Sequence, residues 1–82
     1  MSKTLAVIRN PGIGMRDLDE PALWFDTYIN EFTGALQLLT WDQAKAVMRY
    51  VSRNAGELEG KACWVDVDGP RMTFLCMFGD EL

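Results

Sequence analysis

The sequence predicts an α+β fold: a small antiparallel meander sheet, of element order β-β-β-α-β-β, with one helix packed on one face. Five short segments are rich in β-branched and aromatic residues and are separated by turn-forming residues. A single segment carries a helix start signal followed by apolar residues three or four positions apart. The chain has 82 residues, of which 49% are hydrophobic, so we expect one domain covering residues 1–82.

Three strands are predicted before the helix. The first covers residues 4–8, and the Asn-Pro-Gly run at 10–12 is expected to close it, since proline fixes φ and glycine permits positive φ. Residues 14–21 are mostly charged or small and are interpreted as an exposed loop, with a short strand in this segment as the alternative. The second strand covers 22–30, where aromatic and β-branched residues dominate. A third strand at 35–39 follows and is expected to form a hairpin with the second.

The helix is predicted to begin after Thr40. Its hydroxyl is a suitable N-cap, and Gln43 completes a capping box three residues later. One face of this helix is apolar and comprises Trp41, Ala44, Met48, Val51 and Ala55. The helix is expected to end near residues 54–56, with Gly56 as a left-handed cap.

The last two strands are predicted at residues 61–67 and 72–78. Their hairpin register is expected to set Val67 opposite Met72, Val65 opposite Phe74, and Cys63 opposite Cys76. These side chains include no charge, so this face is predicted to lie under the helix. We expect both cysteines to be reduced, buried thiols, with a cross-strand disulfide as the alternative.

The opposite sheet face is the candidate partner-binding site. It mixes large aromatic side chains with carboxylates, a composition typical of interface hot spots. The predicted site residues are Trp24, Asp26, Tyr28, Trp64, Asp66 and Leu75. Three interpretations stay open: residues 12–21 fold over this face, two copies of the chain share it, or a different protein binds it.

The composition excludes several classes of function. The chain has no histidine, the commonest general base and metal ligand, so we expect no enzyme, no metal and no cofactor. The carboxylates Asp26 and Asp66 are the one acid–base candidate, and so small a sheet offers little room for a cleft. The net charge of −4 argues against direct nucleic acid binding. No apolar run has the length of a membrane span, and we expect a cytoplasmic protein.

Several segments resemble small uncharacterised proteins encoded by bacteriophages and prophages. The segments are Gly-Met-Arg-Asp at 14–17, Ala-Leu-Trp-Phe at 22–25, Gly-Ala-Leu-Gln-Leu-Leu at 34–39, Trp-Asp at 41–42, and Leu-Glu-Gly-Lys-Ala-Cys-Trp-Val at 58–65. The resemblance implies a protein that acts in the cytoplasm of a bacterial host. Small acidic phage proteins often bind a host protein, including components of defence systems. We therefore expect a homodimer that binds a host or phage protein through the aromatic face, as an inhibitor of a host factor. The alternatives are a structural or assembly protein of a phage that acts by self-association, and a protein that has no partner surface.

Overall fold

A computed structural model describes residues 2–17 and 20–80. In chain order the elements are β1 (Ser2–Asp17), β2 (Glu20–Asn30), β3 (Thr33–Leu38), helix α1 (Trp41–Met48), a 3-10 helix (Ala55–Leu58), β4 (Ala62–Asp68) and β5 (Arg71–Met77). The predicted small antiparallel sheet with one helix is confirmed. Thr40 and Gln43 form the predicted capping box, because each side chain bonds to the other residue's backbone N–H.

The strand order corrects the predicted meander. All pairings are antiparallel, and the order across the sheet is β3-β2-β1-β4-β5. Strands β1 to β3 are consecutive neighbours, whereas β4 returns after the helix to lie beside β1, which is a Greek key. The 16-residue β1 therefore forms the centre of the sheet, and β3 and β5 lie at its two ends.

The prediction that the Asn-Pro-Gly run ends β1 is wrong. The run forms a bulge within this strand. Asn10 has a φ of 52°, and the pairing with β2 shifts between Arg9 and Gly12. Proline fits such a site because no ladder bond needs its missing N–H. The Glu59 carboxylate holds the bulge by accepting from the Asn10 N–H (2.9 Å) and the Arg9 guanidinium (3.1 Å). These bonds lower the pKa of Glu59, the Asn10 N–H having the larger effect.

The structure also differs from the exposed loop that is predicted at residues 14–21. Gly14 pairs with Ala22, and Asp17 with Glu20, so both arms of this segment continue β1 and β2. The arms extend the sheet, so these parts of the segment do not fold over the aromatic face. The remaining residues of the predicted loop, Leu18 and Asp19, lie outside the described residues.

A buried glutamine links the two ends of the sheet. Strands β3 and β5 run in the same direction, because each is two antiparallel steps from β1. Gln37 Nε2 donates to the Met72 carbonyl (2.8 Å), and Gln37 Oε1 accepts from the Phe74 N–H (3.1 Å). These are the two bonds that a backbone residue of a parallel neighbour would make with β5. The sheet is thus a partly open, five-stranded Greek-key barrel, the architecture of OB folds, which supports many unrelated functions.

The core fills the inside of this barrel and the space beneath α1. It comprises Ala6, Ile8, Leu23, Phe25, Leu39, Ala44, Val47, Ala55, Leu58, Cys63, Val65, Phe74 and Met77. The Phe25 and Phe74 rings meet edge to face with centroids 5.3 Å apart. The face predicted to lie under the helix is therefore the core face, with Val67 and Met72 packed at its margin. Cys76 is an exception, because it is only partly buried and does not belong to the core.

A second bulge corrects part of the predicted β4–β5 register. Val67–Met72 and Val65–Phe74 pair as predicted, but the register then shifts by one residue. Cys63 consequently pairs with Met77, and Cys76 pairs with Trp64. The two cysteines form no disulfide. Burial, and to a smaller extent Cys76, raises the pKa of Cys63 to about 12, so its thiol is inert near neutral pH.

Helix α1 ends at Met48, several residues before the predicted end. Gly56 lies in the 3-10 helix and is absent from the residues with positive φ, so it is not the left-handed cap that was predicted. A single carboxylate organises the connection instead. Glu57 accepts from the backbone N–H groups of Asn54 and Arg53 and from the Ser52 hydroxyl. These bonds, that of Asn54 first, lower the pKa of Glu57 to about 2.

We expect Glu57→Gln to lower stability at neutral pH, because the amide cannot accept all three bonds. The difference in the free energy of unfolding between wild type and variant should be largest above the ordinary glutamate pKa of about 4.5. It should shrink as the pH falls toward 2, since protonation of Glu57 abolishes the charged acceptor. Urea denaturation of both proteins between pH 7 and pH 2.5 measures this gap. Glu31→Gln removes a turn carboxylate as a control. A gap that is constant with pH would contradict the role assigned to Glu57.

Candidate functional site

The six predicted site residues lie on two separate parts of the barrel surface. Trp24, Asp26 and Tyr28 alternate along β2, opposite in direction to the core residues of that strand. Trp64 and Asp66 alternate along β4, and Leu75 lies in the β5 bulge opposite Trp64. Strand β1 separates the two groups. The sequence predicted which way these side chains face, but it could not show that β2 and β4 are not neighbours.

The two outward-facing aromatic residues of β2 pack over glycines of adjacent strands. Trp24 pairs with Gly12, and its indole lies so close that a Cβ on Gly12 or Gly14 would overlap the ring. Tyr28 pairs with Gly34 in the same manner, with the ring Cδ2 2.8 Å from where a Cβ would stand. Aromatic side chains that cover cross-strand glycines stabilise a sheet. Both rings therefore have an intramolecular role, and they are half-buried rather than free anchors.

The second group centres on Trp64. Its ring is 6.0 Å from the Phe78 ring, and the Lys3 ammonium lies 4.8 Å from its centroid. Leu5 is the cross-strand neighbour of Trp64 on β1. Phe78 is 54% exposed and Leu5 is 46% exposed, so apolar surface continues on both sides of the indole. We call Leu5, Trp64 and Phe78 the Trp64 patch.

Polar groups border the Trp64 patch. Lys3 pairs across the strands with Asp66, which in turn pairs with Thr73 on β5. Leu75 is exposed beside the patch and also lines a cleft of about 230 Å³ between β5 and α1. The Trp64 indole N–H is buried and has no hydrogen-bond partner among the described residues. An apolar centre with a charged rim is the usual composition of a protein interface.

The carboxylate pair considered for acid–base chemistry is not formed. Asp26 pairs with Arg9 in the middle of β1, whereas Asp66 pairs with Lys3 near the start of that strand. Asp26 Oδ2 also accepts from Asn10 Nδ2 (3.0 Å), so this carboxylate helps to hold the bulge. Among the described residues, no three Cys, Asp or Glu side chains are close enough to hold a metal ion together.

Leu5, Phe78 and Phe32 are exposed apolar residues that were not predicted as part of a functional surface. Leu5 alternates with the buried residues Ala6 and Ile8, so strand alternation alone could have assigned it to the outer face. Phe78 lies just beyond β5, and its exposure depends on the bulge that precedes it. Phe32 lies in the turn between β2 and β3, where no periodic pattern exists to place it.

Comparison with known proteins gave no match. No protein-family model matches the chain, and neither a curated protein nor a solved structure shows significant similarity to it. Within the part of the chain that the structure describes, no helix is both long enough and apolar enough to cross a membrane.

Proposed function

We propose that this chain is a non-enzymatic domain that binds another protein through the Trp64 patch and the charged side chains around it. The observation that supports this most is the exposure of Phe78 and Leu5 on either side of the Trp64 ring. Exposed apolar side chains that lie together around a tryptophan and have a polar rim are typical of a contact surface. Aromatic anchors at the centre of such a surface contribute most of the binding energy.

The charge distribution favours a protein over a nucleic acid as the partner. The chain carries a net charge of −4, and nucleic acid binding depends on several cationic groups that neutralise phosphates. Lys3, the cation of the patch, is placed over the Trp64 ring and faces Asp66 across the strands. With Asp66 at its rim, the patch is suited to a partner that presents apolar side chains and a cationic group.

The resemblance to small phage and prophage proteins extends this proposal. We propose that the chain acts in the cytoplasm of a bacterial host and occupies a surface of a host protein, as an inhibitor of a host factor. A component of a host defence system is one such target. The predicted β2 residues Trp24, Asp26 and Tyr28 then contribute mainly by holding the sheet in shape, because each already contacts its own chain.

The proposal is tested with a pair of matched surface variants. We expect Leu5→Thr/Phe78→Ser to weaken partner binding about tenfold or more, since hot-spot residues contribute about 2 kcal/mol or more. Leu36→Thr/Leu38→Thr, which removes two exposed leucines from β3, serves as the control and should bind like the wild type. Tagged proteins would recover the partner from a bacterial lysate for mass spectrometry, and calorimetry with the purified partner would compare affinities.

Circular dichroism would first establish that both variants are folded. Equal affinity of wild type and Leu5→Thr/Phe78→Ser would contradict the proposal. Loss of binding in the β3 variant alone would do so as well, because it would place the contact on the opposite side of β1.

A further inference from the structure

The β2–β3 turn presents an isolated phenylalanine to solvent. Phe32 is 88% exposed, the largest exposed fraction among the large hydrophobic residues described. Its backbone N–H donates to Asn30 Oδ1 (2.9 Å), so the turn that carries it is locally ordered. Glu31 precedes it and places a carboxylate beside the ring position. The turn is therefore an apolar projection with an acidic neighbour.

An apolar groove lies between the β1–β2 hairpin and helix α1. It has a volume of about 170 Å³, and a cavity of about 150 Å³ is known to accept a benzene ring. Ile13 and Trp41 form its rims and are each about half exposed. The lining residues whose side chains the structure describes are all apolar: Ile13, Ala22, Leu23, Trp41, Ala44 and Met48. The groove matches one phenyl side chain in size and chemistry.

The projection and the groove are at opposite ends of the molecule. Leu23, in the groove, pairs with Leu39 near the start of α1, while the turn with Phe32 lies at the other end of the same hairpin. Seven residues separate Leu23 from Asn30 along β2, which corresponds to roughly 23 Å at about 3.3 Å per residue. Phe32 consequently cannot reach the groove of its own chain, whereas a second copy can supply it.

Charges near the two features are complementary. The Lys45 ammonium lies 5.8 Å from the Trp41 ring centroid, at the rim of the groove, and 3.7 Å from Asp42 Oδ1. Arg49 follows one helical turn later and is exposed. A phenylalanine that enters the groove from a second copy brings Glu31 toward these two cations. In a chain of net charge −4, two copies meet most favourably where an acidic segment faces a basic one.

We propose that Phe32 of one molecule inserts into the groove of the next, so that copies associate head to tail. Such a contact is heterologous: each molecule uses two different surfaces, and addition of copies continues unless a ring closes. The contact does not involve the Trp64 patch, so it is independent of the proposed function. It differs from the homodimer expected from the sequence, because the copies are related head to tail and not by a two-fold axis. Self-association is the behaviour expected of an assembly protein, and this contact would make it head to tail.

Complementation between two variants tests this geometry. Phe32→Ser removes the projection and Ile13→Asp closes the groove to an apolar ring, while each leaves the other surface intact. By sedimentation velocity up to about 1 mM, where even a millimolar contact is half occupied, we expect the wild type to grow beyond a dimer. Each variant alone should stay monomeric. An equimolar mixture should form dimers only, because it has a single competent pair of surfaces.

Several results would overturn the proposal. They are a wild type that stays monomeric over this range, a Phe32→Ser protein that still associates, and a mixture that fails to recover dimers, which would indicate a symmetric contact. Leu36→Ser, an exposed leucine outside both surfaces, controls for general loss of surface hydrophobicity. If Ile13→Asp does not fold, Ile13→Ser replaces it.

A charge exchange gives an independent readout. Glu31→Lys and Lys45→Glu should each weaken association severalfold, and the double variant should restore much of it if the two side chains meet between copies. Additive effects in the double variant would contradict the contact.

Discussion

Replacing Gln37 by methionine is expected to lower the free energy of unfolding by about 2–4 kcal/mol, because two backbone groups lose their partners. The substitution keeps the length and bulk of a buried side chain but removes the amide that bonds to the Met72 carbonyl and the Phe74 N–H. The Gln37 Nε2 contact with the buried Thr27 hydroxyl (3.3 Å) is lost as well. Urea denaturation monitored by tryptophan fluorescence measures the change.

Hydrogen exchange shows whether Gln37 links β3 to β5 or only fills space in the core. In Gln37→Met the amide of Phe74 should exchange faster than in the wild type, even under conditions where the remaining core amides stay protected. Leu36→Met, at the adjacent outward-facing position of β3, should change stability by less than about 0.5 kcal/mol. Unchanged protection of Phe74 in Gln37→Met would refute the link between β3 and β5.

The features that the sequence predicted correctly depend on short-range chemistry. The capping box of Thr40 and Gln43 and the Val67–Met72 pairing involve residues only a few positions apart. The barrel closure depends on Gln37 and a strand 35 residues away, and nothing near Gln37 in the sequence indicates that partner. A buried glutamine in an apolar strand could at most have signalled that some polar group must face it.

The Asn-Pro-Gly run shows why a local signal can be misleading. The same residues suit a turn and a strand bulge, since both need a positive φ and a position without a ladder bond. Asn10 takes the bulge conformation because Glu59, 49 residues later, accepts its N–H, and Asp26 accepts from its side chain. Those partners come together only through the Greek-key order of the strands, which local pattern does not determine.

The sequence predicts the sheet face on which the candidate site residues lie, but it does not predict which of these residues are neighbours. Strand alternation correctly places Trp24 and Trp64 on the outside of the sheet, because each flanks buried residues. It cannot show that β1 lies between them or that each ring already has intramolecular contacts. The exposed part of the surface is consequently formed by the smaller neighbours Leu5 and Phe78, whose environment follows from strand order and from a bulge.

The packing of Trp24 over Gly12 leads to the second large effect. Gly12→Val is expected to destabilise the protein by about 1–3 kcal/mol, because the new side chain would overlap the indole and force it aside. Backbone strain is not the cause, since Gly12 is not among the glycines with positive φ. In a Trp24→Ala background the same substitution should cost little, because valine suits a strand and the space above it is then empty.

A double-mutant cycle of Gly12→Val and Trp24→Ala, followed by urea denaturation, measures this coupling. Equal costs of Gly12→Val with and without Trp24 would show that the ring does not cover the glycine. The cycle also bears on function. If the coupling is present, loss of partner binding in Trp24→Ala reports a disturbed sheet, and only the exposed residues Leu5 and Phe78 provide a clean test of the interaction surface.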